Sequence, residues 1–231
     1  MVQVNTPINL RVKFKKVGAL QYVSHLDLVR TMHKIIVRAK LPLWYTEGFN
    51  PKPKMVFAAP LSIGTESVVE FLDIRLSTLA DPKELMDRLN ANMTDELCVT
   101  EAYYPSSKFT DLKWLSYNVE IKTQNANEDK AFECVNYLLG DSVEVLKKTK
   151  SKELVKVDIR PLINSAEAVF EEGLIKLKLV LSGDPSAFLN PELVIKALRE
   201  GCGILKSEKL TEEYYSIMRT GAFFDNMTEF K

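Results

Sequence analysis

Cysteine and histidine are scarce in this chain of 231 residues, which contains three cysteines and two histidines. Cys98, Cys134 and Cys202 lie far apart, and they form neither a CxxC pair nor the tight cluster that holds an iron–sulfur centre. An odd and sparse set does not fit a secreted disulfide framework, so we expect three small buried side chains. His25 and His33 do not have the spacing of a zincin pair, and we expect no metal site.

Long apolar runs are also absent. The chain has no uninterrupted apolar run of eighteen residues, which excludes a transmembrane helix. Its first residues, Met-Val-Gln-Val-Asn-Thr-Pro, lack the basic region and the apolar stretch of a signal peptide. We therefore expect a cytoplasmic protein that does not engage a membrane. Its 46% hydrophobic and 27% charged residues are ordinary for a chain that buries a core.

Charge is unevenly distributed, although the 31 basic and 31 acidic residues cancel. Residues 1–60 hold ten basic and two acidic residues, a net charge of +8. The remaining 171 residues carry 21 basic and 29 acidic groups, a net charge of −8. A concentrated positive field attracts polyanions, so the first quarter of the chain is where we expect a partner to bind.

The first hundred residues alternate between strand and helix patterns. Residues 9–16 alternate apolar and basic side chains, which predicts a strand with one buried and one basic face. Ser24, with Asp27 three residues later, predicts the start of a helix that ends before Pro42. Two strands, a second helix and a fourth strand follow; their predicted positions are 55–59, 68–76, 82–89 and 97–104.

The same order of elements recurs after a linker at residues 105–111. We predict strands at 114–122, 143–147, 155–159, 166–171, 174–182 and 212–222. Helices are predicted at 127–139 and 190–199. The expected fold class is α+β, with two ferredoxin-like (split β-α-β) domains in tandem. The domains would span residues 1–106 and 107–231, the second with extra strands.

A basic stripe is predicted on the first helix. Arg30, Lys34 and Arg38 lie at i, i+4 and i+8, so they share one face. Together with Arg11, Lys13 and Lys15 on the first strand, they would form a surface suited to phosphate backbones. The alternative is an ordinary solvated helix face.

The segment Trp44–Lys54 is rich in glycine, proline, aromatic and basic residues. Gly48 permits an unusual backbone, and Pro51 and Pro53 stiffen the chain. We predict a rigid exposed loop whose aromatic and polar side chains would stack on and hydrogen-bond to single-stranded nucleic acid. These side chains are Tyr45, Phe49, Asn50, Lys52 and Lys54. The alternative is a structural crossover in which Phe49 plugs the core.

Weaker candidates for chemistry lie near the start of the first helix. His25, Asp27 and Glu47 are residue types that could serve as an acid–base set, whereas the alternative role of the first two is helix capping. Neither a nucleophile elbow nor a phosphate-binding glycine loop occurs in the sequence. The basic run at residues 147–152 fits a solvated loop, and Asp158 and Arg160 beyond it share one face of an extended segment.

Five segments resemble the bacterial radical SAM-linked family, domain of unknown function 2344. They are Tyr22–Arg30, Ala39–Tyr45, Glu47–Lys54, Phe57–Gly64 and Val157–Pro161. The resemblance implies an accessory partner of a radical S-adenosylmethionine enzyme, with a link to ribonuclease and ribosomal-protein genes. The chain would bind no cofactor itself, because S-adenosylmethionine and the iron–sulfur cluster would belong to the partner. Where members usually carry histidine or a similar residue in the Asn-Pro-x-Pro loop, this chain has Lys52.

Three functional hypotheses follow. The preferred one is a module that holds RNA, or a ribonucleoprotein substrate, on its basic surface for the radical enzyme. The second is a protein–protein adaptor that docks on that enzyme through residues 44–54. The third is an enzyme for a phosphorylated substrate that uses His25, Asp27 and Glu47, although no recognised catalytic motif supports it.

Overall fold

The computed structural model describes residues 6–148, 153–207 and 209–231. The chain is α+β, and it divides into two compact units. Unit 1 comprises the residues up to Phe109 together with Lys231, and unit 2 comprises Thr110–Phe230. The boundary therefore follows residue 109, whereas the sequence prediction placed it after residue 106.

The described residues of unit 1 form four strands and two helices. Their bounds are β1 Ile8–Lys16, α1 His25–Arg38, β2 Met55–Phe57, β3 Thr65–Leu76, α2 Pro82–Asn90 and β4 Leu97–Tyr103. Ser24 caps α1 as predicted, because its Oγ accepts a hydrogen bond of 3.2 Å from the Asp27 amide. Asp81 caps α2 in the same way, and Pro82 occupies the first helical turn.

The strands of unit 1 lie in the order β4-β1-β3-β2, and every neighbouring pair is antiparallel. Leu10, Val12 and Phe14 of β1 are buried in one cluster with the apolar stripe of α1. That stripe consists of Leu28, Met32, Ile35 and Ile36. One face of the strand and one face of the helix thus form the core, which leaves the opposite side of α1 to solvent.

In the part of unit 2 that the structure describes, there are six strands and two helices. Their bounds are β5 Trp114–Lys122, α3 Glu128–Leu139, β6 Glu144–Lys148, β7 Leu154–Asp158, β8 Ile163–Glu171, β9 Leu174–Ser182, α4 Pro191–Gly201 and β10 Tyr214–Phe223. Asn127 and Asn190 cap the two helices through hydrogen bonds to backbone amides. Short 3-10 turns at Gly18–Tyr22, Phe109–Asp111 and Arg160–Leu162 complete the chain.

The main sheet of unit 2 has the order β10-β5-β9-β8, again with antiparallel neighbours. Strands β6 and β7, which follow α3 and precede β8 in the sequence, pair with each other in a separate two-stranded sheet. The core consists of apolar side chains from β5 and β9, such as Val119 and Leu177, and of buried residues on the two helices.

Candidate nucleic-acid interface

The prediction that β1 presents an exposed basic face is wrong for Arg11 and Lys13. Arg11 is fully buried, and its Nε and Nη2 donate to the two carboxylate oxygens of Asp73 at 2.7 and 3.0 Å. The Lys13 side chain is 16% exposed, and its Nζ lies 3.0 Å from Oε1 of Glu101. The cause is strand register, which places Asp73 of β3 opposite Arg11 and Glu101 of β4 opposite Lys13.

Arg11 also organises the segment that follows β4. Its Nη1 donates to Oγ of Ser107 at 2.8 Å, and its Nη2 donates to the Ser107 carbonyl oxygen at 3.2 Å. The guanidinium lies over the ring of Phe109, 4.3 Å from the ring centroid. Asp73 accepts a further bond of 2.6 Å from Asn9 Nδ2. Arg11 is therefore a structural residue. The sequence analysis did not predict its pairing with Asp73.

The basic stripe on α1 is exposed. Arg30 forms a solvent-exposed ion pair with Asp27, with 3.0 Å between Nη1 and Oδ1. Lys34 and Arg38 are also exposed, and neither forms an ion pair with any residue that the structure describes. Within the described residues, no ion pair compensates the charges of Lys34 and Arg38, whereas Asp27 partly compensates the charge of Arg30.

Five residues connect the end of α1 to the segment Trp44–Lys54. Arg88 of α2 caps the helix, because its Nε donates to the Ala39 carbonyl at 2.9 Å and its Nη2 donates to the Lys40 carbonyl. Lys40 has a positive φ of 52°, which ends the helix and reverses the chain. The direction in which residues 44–54 leave the helix is thus fixed by hydrogen bonds within unit 1.

Residues 44–54 form a hydrogen-bonded hairpin, which we call the aromatic hairpin. The Thr46 amide donates to the Lys52 carbonyl at 2.9 Å, and the Lys54 amide donates to the Trp44 carbonyl at 3.2 Å. The Lys52 amide also donates to Oγ1 of Thr46 at 3.1 Å. Both arms are anchored to Arg75 of β3, through bonds of 2.8 Å from the Trp44 amide and 3.0 Å to the Lys54 carbonyl. These bonds give the segment a defined shape.

The tip of the aromatic hairpin displays Phe49. This side chain has a relative exposure of 112%, so the alternative in which Phe49 plugs the core is wrong. Gly48 has a φ of +121°, a backbone conformation that a side chain would oppose. Four more side chains of the hairpin are exposed: Tyr45, Asn50, Lys52 and Lys54. The hairpin therefore presents two exposed aromatic side chains and two exposed lysines.

His25, Asp27 and Glu47 are not joined into an acid–base set. Asp27 accepts hydrogen bonds from the Ser24 hydroxyl at 2.7 Å and from Arg30. Both bonds lower the pKa of Asp27, and the bond from Ser24 has the larger effect. The ring of His25 packs edge-on against Phe57, with 5.3 Å between centroids. Within the described residues, no hydrogen bond links these three side chains, and the Ser24–Asp27 hydrogen bonds match the capping alternative for Asp27.

The motif Val157–Pro161 has a structural role in unit 2. The carboxylate of Asp158 accepts bonds from the amides of Arg160 at 2.9 Å and Val143 at 2.8 Å, which lower its pKa. Arg160 donates to the carbonyls of Gly140 at 3.1 Å and Ile163 at 2.9 Å. Both side chains thus hold the backbone on either side of the β6–β7 hairpin. Of the basic run at 147–152, residues 149–152 lie outside the described residues.

A family model matches residues 9–191, and it is described as an uncharacterized protein conserved in bacteria (domain of unknown function 2344). The chain belongs to this family. The match includes α1, the aromatic hairpin and the Asp158 motif. A search of curated proteins finds no significant match.

Similarity to solved structures lies in the fold. A chain in the crystal structure of a Cbf5-Nop10-Gar1 complex aligns with a TM-score of 0.50 at 12% identity, covering 92% of this chain and 48% of that one. The family member thus spans about half the length of that chain. An unknown protein from Galdieria sulphuraria aligns at 11% identity with a TM-score of 0.26, covering 93% and 99% of the two chains.

In the part of the chain that the structure describes, no three His, Cys, Asp or Glu side chains group closely enough to hold a metal ion. Across residues 6–148, 153–207 and 209–231, no helix combines the length and hydropathy that a membrane span requires.

Proposed function

We propose that this family member is a binding module that holds single-stranded RNA on α1 and the aromatic hairpin. The observation that carries the proposal is the fully exposed Phe49 at the tip of a hydrogen-bonded hairpin, beside exposed Lys52 and Lys54. A solvated phenylalanine ring contributes nothing to the core, whereas base stacking on such a ring stabilises a complex by about 1–3 kcal/mol per base.

The charge of the same segment supports this proposal. Between Tyr22 and Val56 there are six basic and two acidic residues, a net charge of +4. All six basic side chains are exposed: Arg30, Lys34, Arg38, Lys40, Lys52 and Lys54. Because Arg11 and Lys13 are not part of the exposed surface, five of the seven predicted phosphate contacts remain: Arg30, Lys34, Arg38, Lys52 and Lys54. Aromatic rings beside cations suit unpaired bases better than duplexes, whose bases are stacked on one another.

The module would present its RNA, or a ribonucleoprotein substrate, to a radical SAM enzyme. This part of the proposal rests on the resemblance of the hairpin and helix motifs to radical SAM-linked proteins. The partner would supply S-adenosylmethionine and the iron–sulfur cluster. The residues of this chain would bind, orient and stack the substrate, and none of them would form or break its bonds.

We also infer that each unit is a ferredoxin-like domain. The strand orders β4-β1-β3-β2 and β10-β5-β9-β8 support this inference, because both are antiparallel and both place the first strand in the middle. In unit 2 the β6–β7 pair would be an insertion between the first helix and the second strand of the motif.

The test is binding of a short single-stranded RNA, measured by fluorescence anisotropy at low salt. A variant with Lys52→Gln and Lys54→Gln should bind more weakly than the unchanged chain, with a log–log salt slope shallower by about 1.4. The control variant carries Lys122→Gln and Lys178→Gln, two exposed lysines of unit 2. Equal weakening in both variants would mean that only total charge matters, and the proposed interface would be wrong.

A protein–protein adaptor is the second candidate, because α1 also exposes apolar side chains. Leu26 and Val37 have relative exposures of 58% and 44%, and Phe49 would be the anchor of such an interface. The Phe49→Ala variant separates the two functions. Loss of radical-enzyme binding with unchanged RNA binding favours the adaptor, and the reverse result favours the RNA module.

A further inference from the structure

Two cysteines that are distant in the sequence meet in unit 2. Lys130, Cys134 and Tyr137 lie on one face of α3, because they are spaced by four and three residues. The end of α4 contacts both flanking side chains. Lys130 Nζ donates to the Cys202 carbonyl at 3.1 Å, and a Cβ on Gly201 would lie 2.2 Å from the Tyr137 ring. Cys134 therefore faces Cys202 across the helix contact.

The two thiols are free, buried and chemically unequal. Their relative exposures are 0% for Cys134 and 4% for Cys202. The Cys134 thiol donates a hydrogen bond to the Cys202 sulfur, which raises the pKa of Cys134 and lowers the pKa of Cys202. Burial and the Glu133 carboxylate raise the pKa of Cys202, whereas the Lys130 ammonium, which is paired with Glu133, lowers it.

We propose that Cys134 and Cys202 are a redox-active dithiol that a low-molecular-weight disulfide oxidises to an intramolecular disulfide. When the C-terminal end of α4 opens locally, the Cys202 thiolate attacks one sulfur of oxidised glutathione, so that a mixed disulfide forms and one glutathione thiolate leaves. Cys134 loses its proton and attacks the Cys202 sulfur of the mixed disulfide, which expels the second glutathione thiolate. Two electrons pass from the protein to glutathione, and both thiol protons pass to the two leaving thiolates.

Such a disulfide would tie the middle of α3 to the end of α4. Helix α3 packs on β8, and α4 contacts β6, so the bond would lock the elements around the β6–β7 hairpin of unit 2. In a reducing compartment the pair would remain a dithiol, and an oxidising shift would close it. The proposal is independent of the RNA interface, whose residues lie in unit 1.

The experiment uses the full chain with Cys98→Ser, which removes the half-buried thiol of unit 1 and leaves the pair. The folded protein is equilibrated with oxidised and reduced glutathione, quenched with N-ethylmaleimide, and analysed by intact and peptide mass spectrometry. We expect a loss of two hydrogens and a cross-linked peptide pair that contains Cys134 and Cys202. Dithiothreitol should restore two alkylated thiols.

The control is Cys134→Ser in the same background. Without the second thiol, Cys202 should accumulate one glutathione adduct and form no cross-link. Two unreacted thiols, or two separate glutathione adducts, in the folded parent chain would overturn the proposal, as would a cross-link that forms only after unfolding in urea. If circular dichroism shows that the control variant is unfolded, the parent chain alone decides.

Discussion

The guanidinium of Arg11 and the carboxylate of Asp73 form a buried two-point ion pair, with N–O distances of 2.7 and 3.0 Å. The pair joins the neighbouring strands β1 and β3, and Arg11 extends it to Ser107. A cation that the sequence pattern assigned to a polyanion surface is thus part of the interior of unit 1. The proposed binding surface therefore begins at α1 and lies on one continuous segment of the chain.

Removal of Arg11 should destabilise the chain strongly. The variant Arg11→Met leaves the Asp73 carboxylate buried without its main partner, which costs about 3–5 kcal/mol of unfolding free energy. Lys13→Met is the matched control, because its partly exposed pair with Glu101 is worth up to about 1 kcal/mol. Urea unfolding of both variants checks this prediction. Similar losses in the two variants would contradict the structural role of Arg11.

Truncation of Phe49 should weaken RNA binding without loss of stability. The Phe49→Ala variant removes a ring that contacts solvent, so its thermal midpoint should match that of the unchanged chain. Its affinity for single-stranded RNA should fall by about 1–3 kcal/mol. Phe132→Ala is the control, because this phenylalanine of unit 2 is 67% exposed. Unchanged affinity in Phe49→Ala, measured by anisotropy, would remove the hairpin from the interface.

The backbone conformation at Gly48 should be as important for RNA binding as the ring of Phe49. An alanine at this φ of +121° is strained by about 1–3 kcal/mol, so Gly48→Ala should distort the hairpin tip and weaken RNA binding by at least roughly five-fold. Gly173→Ala introduces comparable strain at a φ of +78° in the β8–β9 turn of unit 2. That control should lose stability and keep its RNA affinity. Equal affinity in both variants would contradict the prediction.

Asp158 should stabilise the chain in a pH-dependent way. Because amide hydrogen bonds lower its pKa in the folded state, its contribution is present above the ordinary value of 3.8 and is lost as pH falls through the lowered pKa. The destabilisation caused by Asp158→Ala should therefore be large at about pH 7 and shrink at a pH well below 3.8. Urea midpoints at both pH values measure it. A pH-independent difference would show that the charge of Asp158 contributes nothing.

Local patterns were sufficient to predict most elements. Helix α1 begins directly after Ser24 as the sequence indicated, and α3 and α4 begin one residue after the predicted starts at 127 and 190. The strand at Trp114–Lys122 also has its predicted bounds. These features depend on residues within one turn or one strand, which is the range over which side-chain spacing carries information.

Contacts between distant segments were not predictable in the same way. The burial of Arg11 depends on the register of β1 against β3, which the alternation in β1 alone does not determine. The approach of Cys134 to Cys202 depends on how α3 packs against α4. The exposed aromatic hairpin was anticipated because glycine and the two prolines restrict its backbone locally, whereas its anchor at Arg75 was not.

The salt dependence of RNA binding tests the central claim most directly. Five exposed cations, Arg30, Lys34, Arg38, Lys52 and Lys54, predict a slope of log affinity against log salt of about −3.5 for a single strand. The measurement is a series of anisotropy titrations of the full chain at increasing salt. A slope near this value supports the interface on α1 and the aromatic hairpin. A flat response, or no binding at low salt, would contradict it.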